Sequence, residues 1–95
     1  MAHTTDTMTV FWRPGCGFCT MLEHRLGKAD VTYERRNIWE DPEAAEFVRG
    51  ANNGNETVPT VVIGNDVYTN PPASMIFDRL GIEPPDGPFK RLLGK

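Results

Sequence analysis

The stretch WRPGCGFC, Trp12 to Cys19, contains both cysteines of a 95-residue chain. Two cysteines three residues apart suit a structural bridge, half of a metal site, or a reactive dithiol, and the neighbouring residues narrow the choice. Ahead of the pair, Met8-Thr9-Val10-Phe11-Trp12 is rich in strand formers and reads as a first strand. Pro14 and Gly15 break it. From Cys16 onward Phe18, Met21, Leu22 and Leu26 recur at helical spacing, with Gly27 as the expected stop. Cys16 therefore falls between a strand and a helix, where free N–H groups and the positive end of the helix dipole stabilise a thiolate. Arg13, three residues earlier, adds a nearby positive charge. Cys19 is one turn further on, so its sulfur can reach Cys16 from the same face. Gly17 keeps the approach to Cys16 open, and Phe18 offers an apolar surface to whatever docks.

The alternatives for the pair are weaker. A structural zinc site takes about four ligands, and only His3 and His24 could supplement the cysteines. His24 lies mid-helix between Glu23 and Arg25, the setting of a solvated surface histidine, so no metal site is expected. Two inert cysteines filling a core would not need a strand-to-helix junction, which is where thiols become reactive.

Composition bounds the rest. Ninety-five residues make one domain with room for a core and not for a second domain. The expected organisation is a single domain over 1–95, with a core of about 8–81 and a C-terminal extension of 82–95. A hydrophobic fraction of 39% and a charged fraction of 24% are ordinary for a soluble globular protein. A net charge of -3 argues against nucleic acid as the main partner. The opening MAHTTDT is polar and lacks an apolar h-region, so no signal peptide is expected. The longest strongly apolar run, Val61-Val62-Ile63, is far too short for a membrane span. A cytoplasmic location follows as the default.

Further along, Val31 to Ile38 reads as a second strand despite the charged Glu34-Arg35-Arg36. Asp41-Pro42 reads as an N-cap with proline at the first helical position, opening a helix with Ala44, Phe47 and Val48 on one face. Residues 51–55 read as a loop. Thr60-Val61-Val62-Ile63, a Gly64-Asn65-Asp66 turn and Val67-Tyr68-Thr69 form a hairpin. After Asn70-Pro71-Pro72, the residues Ala73, Ile76, Phe77 and Leu80 mark a third helix that stops at Gly81. The order is βαβαββα, an α/β arrangement in which a right-handed parallel crossover is joined by an antiparallel hairpin. In the tail, Pro84, Pro85 and Pro88 precede an apolar stripe of Phe89, Leu92 and Leu93, expected to dock on its own domain.

Thr57-Val58-Pro59 is the second chemical feature. Pro59 opens a strand just after a loop, where it cannot donate to the ladder. Val58 can then offer free backbone N–H and C=O groups to an extended substrate, as an added strand does. Alone the signal is weak. Beside the dithiol it is strong.

With these residues in view, the chain from Thr9 to about Leu80 resembles the glutaredoxin branch of the thioredoxin superfamily. The resemblance rests on CGFC opening the first helix, TVP before the third strand, and the element order. It implies a thioredoxin/glutaredoxin fold, a four-stranded mixed sheet flanked by helices. It also implies thiol–disulfide exchange with Cys16 as nucleophile, Cys19 as resolving thiol, and a cis Pro59 facing both. Arg13, Gly17, Phe18, Thr57, Val58, Pro59, Thr69 and Asn70 are the expected substrate-binding residues. One departure is informative. Glutathione-using members carry a Gly-Gly pair and then residues whose N–H groups hold the γ-glutamyl end. Here Thr69-Asn70 and Pro71-Pro72 stand at those places, and proline has no N–H.

The segment is instead similar to that of the mycoredoxins, actinobacterial glutaredoxins that serve mycothiol, a thiol without a γ-glutamyl group. The shared pieces are the CG-aromatic-C centre, the alanine-rich Glu43-Ala44-Ala45-Glu46-Phe47-Val48, the run Asn53-Gly54-Asn55-Glu56-Thr57-Val58-Pro59-Thr60, and Thr69-Asn70-Pro71. This implies a monomer acting on small-molecule thiols and disulfide-containing proteins. It implies no permanently bound cofactor, and mycothiol rather than glutathione as reducing co-substrate. Two rivals share the site: a redoxin that feeds ribonucleotide reductase and is recharged by thioredoxin reductase, and an iron–sulfur carrier. Carriers have Cys-Gly-Phe-Ser, and Cys19 replaces that serine.

Overall fold

The computed structural model describes residues 7–84. Its elements follow in the order β1 (Met8–Trp12), α1 (Gly17–Lys28), β2 (Glu34–Asn37), α2 (Pro42–Ala51), β3 (Thr60–Ile63), β4 (Asp66–Thr69) and α3 (Ala73–Leu80). The strands make one sheet in the order β2-β1-β3-β4. β1 runs parallel to β2 and antiparallel to β3, and β3 is antiparallel to β4. This is the expected mixed sheet. Residues 85–95, with the stripe of Phe89, Leu92 and Leu93, lie outside the described residues.

The alternation of side chains along a strand divides the core in two. Met8 and Val10 of β1 and Val61 and Ile63 of β3 face α1 and α3, where Leu22, Leu26, Ala73, Ile76 and Phe77 close the larger cluster. Phe11 points the other way, to Ile38 and to Ala44, Ala45 and Val48 of α2, with Val58 and Val62 packed alongside. Helices thus cover both faces of the sheet, the layering that burial of a central strand on both sides requires. Phe47 is half out of this core and stacks on Phe11, with ring centroids 5.0 Å apart.

The sequence expectations hold where a local signal decides. Asp41 caps α2 by accepting the Ala44 N–H, and Pro42 occupies the first turn. Gly81 ends α3 in the left-handed conformation at φ 74°, which glycine adopts without a Cβ clash. Four boundaries differ. Asp66, read as a turn residue, is the first residue of β4 and pairs with Ile63. Gly27 does not stop α1, which runs on through Lys28 to an Ala29 cap. Residue 51 belongs to α2 rather than to the following loop. The second strand is Glu34–Asn37 instead of 31–38, because pairing with Thr9–Trp12 sets its length.

The charges within β2 are explained by its place at the sheet edge. Arg35 lies over the Trp12 ring at 4.2 Å and binds Glu23 of α1 at 2.6 Å. Arg36 lies over Phe11 at 5.8 Å and reaches Asp41 through Nε at 2.9 Å. Their stems cover aromatic surface while the charged heads find carboxylates. A charged edge also resists pairing with another chain.

Tyr33 donates to Glu23 Oε1 at 2.8 Å. Burial, and then the hydrogen bond to Glu23, raise its pKa to about 12. The interaction therefore stabilises the fold fully below the ordinary tyrosine value of 10.0 and is lost as pH rises through about 12. Replacing Glu23 by Ala is expected to bring the Tyr33 titration down toward the ordinary value, read by phenolate absorbance. An unchanged titration would show that Glu23 does not hold the hydroxyl. Leu26→Ala, at a fully buried site, is expected to cost about 2–5 kcal/mol in chemical denaturation.

Candidate active site

The site is built at the end of the sheet where β1 gives way to α1. Gly15 takes φ 78°, a conformation that disfavours any residue with a Cβ, and so turns the chain into the helix. Cys16 follows in extended geometry as the N-cap of α1. Its Sγ accepts the Cys19 N–H at 3.1 Å, taking the place that a serine or aspartate oxygen has in an ordinary cap. Its carbonyl accepts the Thr20 N–H at 3.1 Å and the Thr20 hydroxyl at 3.2 Å. The Cys16 sulfur thus rests on a helix N-terminus, where a free N–H and the dipole favour the thiolate.

Cys16 and Cys19 are joined as a disulfide, with Cα atoms 5.2 Å apart. Both are buried, Cys16 at 7% exposure and Cys19 at 2%. Facing the pair is the Thr57-Val58-Pro59 turn, whose Val58–Pro59 bond is cis. The Val58 carbonyl oxygen lies 3.8 Å from Cys16 Sγ. Among the described residues no hydrogen bond takes up the Val58 N–H, which leaves it for an extended ligand.

The turn is held by neighbours. The Asn70 N–H donates to the Pro59 carbonyl at 2.7 Å, and Asn70 itself has φ 49°. The buried Thr60 hydroxyl donates to the Thr57 carbonyl at 2.7 Å and accepts from Asn52 Nδ2 at 3.3 Å. Asn52 also donates to the Val48 carbonyl at 2.8 Å and accepts the Thr69 hydroxyl at 2.6 Å. Asn52 therefore ties the end of α2 to the Pro59 turn and to β4. Read as a loop residue, it carried no sequence signal for this role, because its partners lie 8 and 17 residues away.

Of the expected substrate-binding residues, Val58 contacts the Cys16 sulfur, and the others are placed as follows. Gly17 begins α1, and a Cβ there would meet nothing within 4 Å. Phe18 is 64% exposed between the two cysteines, and Met21 is 65% exposed one turn on. With Leu22, His24 and Arg25 they form one wall of a groove of about 460 Å³, whose other wall is Asn70, Pro71, Pro72 and Ala73. The Thr69 hydroxyl is engaged by Asn52. The Arg13 guanidinium turns to the Pro14 carbonyl at 3.2 Å and lies 5.7 Å from the Trp39 ring centroid. The sulfur's polar contacts among the described residues are the Cys19 N–H and the Val58 carbonyl, so the helix N-terminus supplies the direct stabilisation. Sequence reasoning did not single out Trp39, since nothing in the order of residues shows that it meets Arg13.

Comparison with known proteins agrees with this geometry. Residues 8–68 match the family described as Glutaredoxin. A Mycobacterium tuberculosis protein provisionally described as a glutaredoxin is 35% identical over 77 residues, covering 80% of this chain and 92% of its own. Mycoredoxin 1 of Corynebacterium glutamicum is 30% identical over 76 residues, covering 79% of this chain and 94% of its own. Among solved structures, the glutaredoxin-like protein NrdH-redoxin from Escherichia coli superposes with a TM-score of 0.68 at 27% identity, covering 82% of this chain and 99% of that one.

In the reduced protein, limited alkylation near neutral pH is expected to modify Cys16 first, because its sulfur caps the helix. Peptide mapping by mass spectrometry reads the order. Prior modification of Cys19 would reverse the assignment.

Proposed function

The chain belongs to the glutaredoxin family of thiol–disulfide oxidoreductases, and on that premise we propose that it reduces mixed disulfides between proteins and a small thiol of the mycothiol type. Cys16 Sγ, as thiolate, attacks the small-thiol sulfur of the mixed disulfide. The Cys16–thiol disulfide forms, the original S–S bond breaks, and its electron pair leaves with the protein thiolate, which takes a proton from water. A second molecule of the small thiol, attacking as thiolate, regenerates Cys16 and departs as the symmetric disulfide. Alternatively, the Cys19 thiolate attacks Cys16 Sγ, forms the internal disulfide and releases the small thiol. The Cys19 N–H that caps Cys16 Sγ also stabilises the Cys16 thiolate each time it leaves.

The observation that carries the choice of thiol is the Asn70-Pro71-Pro72 wall beside Phe18. Two consecutive prolines give that wall no N–H donors at Pro71 and Pro72, so a charged amino-acid carboxylate placed there lacks those two hydrogen bonds. A hydrogen bond to a charged group is worth about 1.5–3 kcal/mol, or about tenfold or more in affinity. A thiol with no γ-glutamyl carboxylate loses nothing at this wall. Mycoredoxin 1, among the relatives, supports the same choice. The cytoplasm, where small thiols are kept reduced, is the compartment this chemistry fits; among the described residues no helix is long and apolar enough to cross a membrane.

A second reading has the Escherichia coli NrdH-redoxin behind it, whose structure is described as explaining a thioredoxin-like activity profile. Under that reading the internal disulfide is recharged by thioredoxin reductase rather than by a small thiol. Turnover with thioredoxin reductase alone, and none with mycothiol and its reductase, would establish it in place of the first.

Cys16→Ser is expected to abolish reduction, while Cys19→Ser keeps activity on small-thiol mixed disulfides. The kcat/KM for a mycothiol mixed disulfide is expected to exceed that for the glutathione analogue by about tenfold or more. Equal values, or a preference for glutathione, would sink the assignment.

A further inference from the structure

We propose that the exposed Trp39 ring, with the Arg13 guanidinium stacked on it, is the subsite for a polyhydroxylated ring attached to the cysteinyl part of the small thiol. The proposal rests on the reading that a small thiol of the mycothiol type is the co-substrate, and it assigns the part of the protein that holds the sugar–cyclitol end.

Trp39 is one of three large apolar side chains more than 60% exposed among the described residues, with Phe18 and Met21. It is 62% exposed, although burying an indole is one of the larger gains open to a folded chain. The backbone beneath it is anchored rather than loose. The Trp39 N–H donates to Asn37 Oδ1 at 2.9 Å. Ile38 is buried, and its N–H donates to the carbonyl of Trp12 at 2.9 Å. Trp12 is the last residue of β1 before the cysteine loop, so the ring is presented from a fixed point at the same end of the sheet as Cys16.

Arg13 completes the surface. It sits in that loop three residues ahead of Cys16, 5.7 Å from the indole centroid. Among the described residues no carboxylate pairs with it, and its hydrogen bond is to the adjacent Pro14 carbonyl. A guanidinium held at a ring face leaves N–H donors directed outward. The pair therefore offers an apolar, electron-rich face together with charged donors. A pyranose or cyclitol ring satisfies both at once, laying C–H bonds on the indole while its hydroxyl oxygens accept from the guanidinium. An aliphatic peptide side chain would use the face and leave the donors, and a lone carboxylate would use the donors and leave the face.

The two flanks of the sulfur divide the ligand. An extended cysteinyl group lying along Val58 sends its two substituents in opposite directions. The groove of Phe18, Pro71 and Pro72 suits a small uncharged acyl group. The Arg13–Trp39 side suits the hydroxyl-rich one. A thiol whose cysteine nitrogen is acylated and whose carboxyl is amide-linked to a sugar–cyclitol matches both flanks.

The test compares two mixed disulfides with the same leaving group. One carries mycothiol, the other N-acetylcysteine methylamide, which keeps the cysteinyl part and lacks the rings. The ratio of their kcat/KM values, measured on one preparation, cancels any difference in folded fraction. In the wild-type protein the ratio is expected to favour mycothiol. Trp39→Ala is expected to lower it by about fivefold to tenfold, and Trp39→Phe, which keeps an aromatic face, to retain most of it. A wild-type ratio near one, an unchanged ratio in Trp39→Ala, or an equal loss in Trp39→Phe overturns the platform. Failure of the underlying reading is seen separately, as equal wild-type rates on mycothiol and glutathione mixed disulfides. The platform is then still decided by the first ratio.

Discussion

A single contact, from the Cys19 N–H to Cys16 Sγ at 3.1 Å, organises this molecule. The sulfur proposed as nucleophile is also the cap of the helix that follows it. A helix N-terminus must have its free N–H groups satisfied, and here a sulfur does so. Negative charge on that sulfur strengthens the cap, so thiolate chemistry and local folding favour the same arrangement. Everything behind the contact keeps it in place. Gly15 at φ 78° turns the chain, Leu22 and Leu26 fix α1 to the sheet, and β1 lies between β2 and β3.

The opposite side of the site depends on a crossing of two loops. Asn70 N–H meets the Pro59 carbonyl at 2.7 Å, and Asn52 gathers α2, Thr60 and Thr69 behind the turn. These bonds hold the Val58 backbone beside the sulfur without occupying its N–H. The turn is thereby held in place with the Val58 N–H unengaged among the described residues. Along the sheet order the two ends differ: a groove walled by prolines follows β4, and an indole with a guanidinium follows β2.

Much of the architecture was legible because its signals are local. The dithiol spacing, Pro14-Gly15 after a run of strand formers, Asp41-Pro42, the chain reversal begun at Gly64 and the stop at Gly81 each act through a residue's own dihedrals or its near neighbours. The boundaries of β2 were not legible, since its length is set by the partner strand. Gly27 misled because glycine is tolerated inside a helix whose buried side is carried by other residues. Phe18 and Met21 shared the helical period with Leu22 and Leu26, yet they face out, and a repeat of three and four residues does not say which side of the stripe meets the sheet.

By itself the sequence determined an α/β order of elements with two cysteines three residues apart at a strand-to-helix junction and an X-Pro turn just before the third strand. Those features follow from residue types and short spacings. Only the tertiary structure decided what surrounds the sulfur. It brought Val58 within 3.8 Å of Cys16 from 42 residues away, set Asn52 behind the turn, walled the groove with Pro71 and Pro72, and laid Arg13 over Trp39 rather than over the thiol. The reason is physical. Such contacts join residues distant in the chain, and their geometry is fixed by how helices on both faces of a twisted sheet bury their apolar sides, which no local spacing encodes.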